Sequence, residues 1–96
     1  MTPSEVLVKA ADLIDKHGWW DGQGDLPSPG GSLCAALAIR WIAPNSDSWP
    51  IQRAAFARLA DFAGIPLNDG SLAIADWNDA HTHVEVVTAM RAAAAE

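Results

Sequence analysis

The sequence predicts an all-α fold: a small irregular bundle of four helices, with one short helical turn and one long ordered loop rich in Gly, Pro and Trp. Three observations carry this expectation. Apolar residues recur at helical spacing in four windows. Capping residues and breakers stand at the ends of those windows. No segment offers an alternating Val/Ile/Thr strand pair, and no internal repeat is visible. A chain of 96 residues makes one domain.

The first helix spans about 3–17. Thr2-Pro3-Ser4-Glu5 reads as a capping box, with Pro3 at the first helical position. Val6, Leu7, Ala10, Leu13 and Ile14 share one face, and Glu5–Lys9 and Asp12–Lys16 are i,i+4 pairs on others. Gly18 ends the helix as a left-handed cap. Residues 18–31 form the loop, because Gly18, Gly22, Gly24, Pro27, Pro29, Gly30 and Gly31 break helix and strand alike. Trp19, Trp20 and Leu26 should hold it to the core as an Ω-like excursion. One indole is expected to face inward and the other outward.

The second helix is expected over about 32–43, with Ser32 as N-cap and Leu33, Leu37, Arg40 and Trp41 on one stripe. After Pro44, Asn45-Ser46-Asp47-Ser48 is a turn cluster in which Asp47 or Ser48 caps the third helix, at about 49–63. That helix presents Ile51, Ala55, Leu59 and Phe62, with Phe56 alongside, and Gly64 and Ile65 close it. Asn68-Asp69-Gly70 is a tight turn. Residues 71–77 form a short helix or turn, with strand as the competing assignment because Leu72, Ile74 and Asp76 alternate with Ala73 and Ala75. A second capping box, Thr82-His83-Val84-Glu85, opens a last helix at about 83–95 that offers Val86, Val87, Met90 and Ala94 to the core.

Composition narrows the function. Half the residues are hydrophobic and 19% are charged, which suits a soluble globule. Net charge is −6, unevenly spread. Residues 1–39 carry −3 and residues 59–96 carry −5, whereas residues 40–58 carry +2 from Arg40, Arg53 and Arg58 against Asp47. Direct binding of DNA or RNA is not expected of so acidic a chain. A single cysteine, Cys34, excludes an internal disulfide and fits the reducing cytoplasm. No run of about 18 apolar residues suggests a membrane span, and no basic-then-apolar leader opens the chain.

The order of certain residues resembles a known family. Gly18-Trp19 is followed by a variable Gly/Pro loop, then Cys34 opening an Ala/Leu helix, then Trp77-Asn78-Asp79, then Thr82 ahead of Val86-Val87 and Ala92-Ala93. This order is similar, from about residue 5 to 94, to a domain of unknown function found in small proteins of actinobacteria and their phages. Trp-Asn-Asp before a Thr-capped helix is its most specific element. The family often carries Gly-Ala-Leu after the cysteine, where this chain has Ala35-Ala36-Leu37, and Trp20 and Trp49 are particular to this chain. The resemblance implies a compact cytoplasmic domain, phage-encoded, and carries no reaction with it.

Among chemical constellations, Cys34 is the sharpest. Near the second position of a helix it would gain a lowered pKa and a set of amide donors. His81 or His83 would serve as base, with Asp76, Asn78 or Asp79 orienting it. Against this, papain-like sites place the histidine on a strand, and free cysteine usually packs as a small hydrophobe. His81-x-His83 with Asp76, Asp79 and His17 has poor metal spacing, because rings at i and i+2 of a helix start diverge. Asp76-x-Asn78-Asp79 lacks the rest of a calcium loop. No metal and no cofactor is expected. Trp77 is expected to plug the core while Asn78 and Asp79 bond free amides in their own turn.

What remains is recognition. Trp19 and Trp20 beside Asp21 and Asp25, with Trp77, Asn78 and Asp79, compose the expected binding surface for a protein partner. The expected function is therefore a non-enzymatic interaction module. Its alternatives are a Cys34 hydrolase or transferase and an acidic DNA mimic. A homodimer through Val86-Val87-Met90 of the last helix is the further possibility.

Overall fold

Thr2 opens the first helix as its spacing requires. In the computed structural model, which describes residues 1–22, 31–66 and 71–96, the Thr2 hydroxyl accepts from the Glu5 amide at 3.1 Å and the Glu5 carboxylate accepts from the Thr2 amide at 3.1 Å. Helix α1 then runs over Pro3–His17 and buries Val6, Leu7, Ala10, Ala11 and Ile14 completely. The Gly18 amide closes it on the Ile14 carbonyl at 2.7 Å. Gly18 does not take the expected left-handed cap. Its φ of 99° and ψ of 159° belong to a region open essentially to glycine alone, and they swing the chain straight out of the helix.

That exit decides the next element. The Gly18 carbonyl accepts from Leu33 N at 2.9 Å, and Trp20 N donates to the Leu33 carbonyl at 3.0 Å. This single parallel rung, Trp19 beside Leu33, draws the two ends of the loop together. Leu33 is thereby held out of the helix, and α2 begins two residues later than a Ser32 cap would have placed it, at Ala35–Ile42. Cys34 is its N-cap, in extended backbone. The face α2 buries is Ala35, Ala36, Ala38 and Ile39 rather than the expected Leu33–Leu37–Arg40–Trp41 stripe, of which only Leu33 is fully buried. Three alanines on one face let α2 lie close to its neighbours.

Ser48 takes the N-cap position of the next helix, as one of the two expected candidates, but makes no side-chain cap bond; the side-chain oxygen of Asn45 accepts from Ser48 N at 3.0 Å and holds a 3₁₀ turn over Ser46–Ser48 ahead of it. Helix α3 follows directly over Trp49–Ala63 and buries Ala55, Phe56, Leu59 and Ala60. Phe62, expected in the core, is 43% exposed. Gln52 Nε2 reaches back 2.7 Å to the Ala43 carbonyl and satisfies the end of α2. Gly64, with φ 73°, and the bond from Ile65 N to the Ala60 carbonyl at 3.0 Å close α3.

The Asn68-Asp69-Gly70 turn lies outside the described residues, as do residues 23–30. Residues 71–79 are a full helix, α4 (Ser71–Asp79), so the strand alternative is set aside; Ile74 and Asn78, one turn apart, are its buried pair. The Thr82–Glu85 capping box opens α5 (His83–Ala95). The architecture is an all-helical bundle in which α1 packs against α5, α2 and α3, while α4 lies against α2 and α3. No strand forms among the described residues, and none of their helices is long and apolar enough to cross a membrane.

Helix α5 does not expose the apolar stripe on which the dimer expectation rests. Val86, Val87 and Met90 are 0–6% exposed and used up within the protomer's own core. Its polar side is tied to α1: Arg91 meets Asp12 at 3.0 Å and Asp15 at 2.6 Å, and His83 Nε2 lies 2.9 Å from Asp15. Asp12 thus serves a cross-helix pair with Arg91. Arg58 of α3 donates to the Ala93 carbonyl at 2.8 Å and to that of Glu96, capping the other end of α5.

The hydrogen bond from Arg91, seconded by that from His83, holds the Asp15 carboxyl below its ordinary range. A carboxyl with a depressed folded pKa stabilises fully above its ordinary value of about 3.9 and loses that contribution as pH falls through the lower folded value. Asp15→Asn is therefore expected to lower stability near neutral pH by about 0.5 kcal/mol, the half-exposed geometry limiting the effect. The deficit should vanish in strong acid, and urea midpoints measured against pH check both points.

Candidate functional site

Asn78 is the one buried polar side chain among the described residues, and every bond its carboxamide can make is made. Its oxygen accepts from the Trp19 indole N–H at 2.8 Å and from the Ala35 amide at 3.0 Å. Its nitrogen donates to the Trp20 carbonyl at 3.0 Å and to the Asp79 carboxylate at 3.2 Å. Ala35 N is a first-turn amide of α2, one of the donors a helix cannot satisfy internally. One side chain of α4 therefore caps α2 and fastens the start of the loop. Sequence reasoning had Asn78 bonding amides in its own turn; the amide it finds belongs to another helix.

The residues expected to form a binding surface assemble around this clasp. Trp19 and Trp20 are both half-buried and packed on the core, so the division into one inward and one outward indole does not hold. Trp19 stacks 6.5 Å from His83. Trp77 is half-buried as well and lies 5.3 Å from His81. Asp21 and Asp79 are exposed. Gly22, at φ 82°, lies so close to the Asp79 carboxylate that a side chain there would collide with it. Asp25 falls outside the described residues.

Cys34 lacks the makings of a nucleophile. It is 4% exposed, and its sulfur accepts from Leu37 N at 3.4 Å. Burial pushes the thiol pKa up, with the Asp79 charge adding to the rise, and the helix amides do not reverse it. The lowered pKa expected from the helix start is thus overturned by desolvation. Neither histidine is bonded to it: His81 Nδ1 meets the Trp77 carbonyl at 2.7 Å, and His83 meets Asp15. His17, considered as a metal ligand, stacks on Trp41 at 5.4 Å. Among the described residues no three His, Cys, Asp or Glu side chains gather as a metal group would require.

One surface depression is not among the features expected from the sequence. Between α2 and α3 runs a groove of about 710 Å³. Trp41 and Trp49 stand on it, 43% and 56% exposed, over a base that includes the buried Phe56. Arg40 and Arg53 flank it. The signal was present in the spacing: Trp49, Gln52, Arg53 and Phe56 fall at i, i+3, i+4 and i+7, one face of a helix. Leu37, Arg40 and Trp41 make the matching face of α2. The α2 face has the apolar content of a core stripe, and the expected α3 stripe of Ile51, Ala55, Leu59 and Phe62 draws the eye away from Trp49.

Two outcomes test these assignments. Asn78→Ala leaves the Trp19 and Ala35 donors unpaired in a buried place and should cost about 3 kcal/mol in chemical denaturation, against about 1 kcal/mol for Trp19→Phe, which removes a single donor. The native Cys34 thiol should react with iodoacetamide at pH 7 at less than about a tenth of its rate in urea. Rapid labelling of the folded protein would return catalysis to consideration.

No curated protein and no solved structure matches this chain. A family model does, over residues 1–96. The residues bound together by Asn78, from Trp19 to Asp79, all lie within that match, and the chain belongs to a family of unknown function, DUF6197.

Proposed function

We propose that this protein is a non-enzymatic protein-interaction module whose recognition face is the groove between α2 and α3. The observation that carries this reading is the pair of exposed indoles, Trp41 and Trp49, on an open groove with a buried aromatic base. A half-exposed Trp leaves roughly 100 Å² of apolar surface in water, and covering it in an interface is worth about 2 kcal/mol. Two such residues side by side, flanked by arginines, have the composition of a binding hot spot. Trp19, Trp20 and Asn78 are given a scaffolding role here, holding α2 in the position that frames the groove.

The alternatives have less support. A Cys34 enzyme would need a thiolate and a base, and the thiol is buried with neither histidine bonded to it. A DNA mimic would need an unbroken acidic face, whereas Arg91 and His83 sit among Asp12 and Asp15, and two arginines flank the groove. On the resemblance to actinobacterial and phage proteins, the partner is a cytoplasmic protein of the host cell.

Immobilised protein is expected to retain a discrete partner from a cell lysate, and Trp49→Ala and Trp41→Ala, with thermal midpoints near that of the parent, should each lose most of it. Undiminished capture by both variants, or no partner at any salt concentration, overturns the reading.

A further inference from the structure

Resting on that reading and deepening it, we infer that the groove between α2 and α3 takes an acidic segment of the partner, with an aromatic or branched aliphatic side chain seated between Trp41 and Trp49 and its flanking carboxylates on Arg40 and Arg53. The charge distribution is the first support. The stretch 40–58 is the one net-positive part of the chain, at +2 between segments of −3 and −5. Among the described residues no carboxylate lines the groove. The described ion pairs involve Arg91 and His83 only, so Arg40 and Arg53 keep their fork-shaped donors available for bidentate pairing with carboxylates. Helix α3 starts at Trp49 with no side-chain cap from Ser48, and the partial positive charge of its first turn adds to that of Arg53.

Shape is the second support. A further hollow of about 430 Å³, lined by Ser46, Trp49, Pro50 and Arg53, shares Trp49 and Arg53 with the groove. Trp49 and Arg53 thus belong to two adjoining depressions, a track suited to several residues of extended or helical chain rather than to a small ion. The base of the main groove includes Phe56 and Leu37, which an apolar anchor would cover and a phosphate would not. Two arginines on a protein of net charge −6 are too few cations for a nucleic-acid backbone.

Selection of a displayed random-peptide library on the full-length protein, with counter-selection on the Arg40→Glu/Arg53→Glu double variant, tests the inference. Enriched peptides should carry Asp or Glu around a Phe, Trp, Leu or Ile. A synthetic copy should bind about tenfold more weakly to the double variant and to Trp49→Ala, and more weakly as salt rises. Replacing the peptide's acids with Lys should restore binding to the double variant, an outcome that mere damage to the fold would not produce. Enrichment of neutral or basic peptides, no enrichment, or tighter binding of oligothymidylate to the same face would overturn the inference. If apolar peptides lacking acids bind and depend on Trp49, the acidic partner is wrong and the interaction module stands. If nothing depends on Trp49, here or in lysate capture, both fall.

Discussion

A single buried carboxamide holds this fold in register. Asn78 presents its oxygen to two donors and its nitrogen to two acceptors, so the surroundings admit one orientation only. In a low-dielectric site each such bond is strong and each vacancy costly, which makes the set cooperative. Other side chains would fail for definite reasons. Aspartate would set a second oxygen against the Trp20 carbonyl and the Asp79 carboxylate. Leucine would match the size and satisfy nothing. Glutamine would bring one methylene too many into a space closed by α2.

From this constraint the rest of the surface follows. The clasp fixes the beginning of α2, and the Trp19–Leu33 rung keeps Leu33 out of the helix. In α2, Ala35, Ala36, Ala38 and Ile39 are buried in the bundle, whereas Leu37 and Trp41 line the groove beside α3. Gln52 then ties the far end of α2 to α3 through Ala43. The groove is thus framed at one end by a buried hydrogen-bond network and at the other by a side chain of its own wall. The tryptophans divide accordingly. Trp19, Trp20 and Trp77 pack on the core around the clasp, whereas Trp41 and Trp49 face the groove.

Charge is partitioned in the same spirit. Carboxylates at helix starts are used locally, Glu5 and Glu85 each bonding a cap backbone, and both have depressed pKa values because of the bonds to Thr2 and Thr82. Asp12 and Asp15 are engaged by Arg91 across two helices. Arg58 is engaged by the carbonyls at the end of α5. Arg40 and Arg53 are the guanidinium groups left facing solvent beside the exposed indoles of Trp41 and Trp49. Cys34 belongs to the structural side of this partition: its sulfur caps α2 beside the amide that Asn78 takes, and burial suppresses its ionisation.

The capping boxes and three of the helices were legible in the sequence. Thr2–Glu5 and Thr82–Glu85 announce their helices because a capping box needs only residues three apart, and α1, α3 and α5 have the bounds that spacing and breakers predict. Capping and periodicity act within one or two turns, so they survive any tertiary arrangement. The start of α2, the burial of Asn78, the exposure of Phe62 and the direction of Trp41 were decided elsewhere. Each depends on a neighbour distant in sequence: Asn78 meets Trp19 across 59 residues and Ala35 across 43. An amphipathic stripe states that a face is apolar, but not whether another helix covers it. Only the packing of α1 against α5 and α2, with α4 closing on α2, leaves the face shared by Trp41, Trp49, Arg40 and Arg53 exposed.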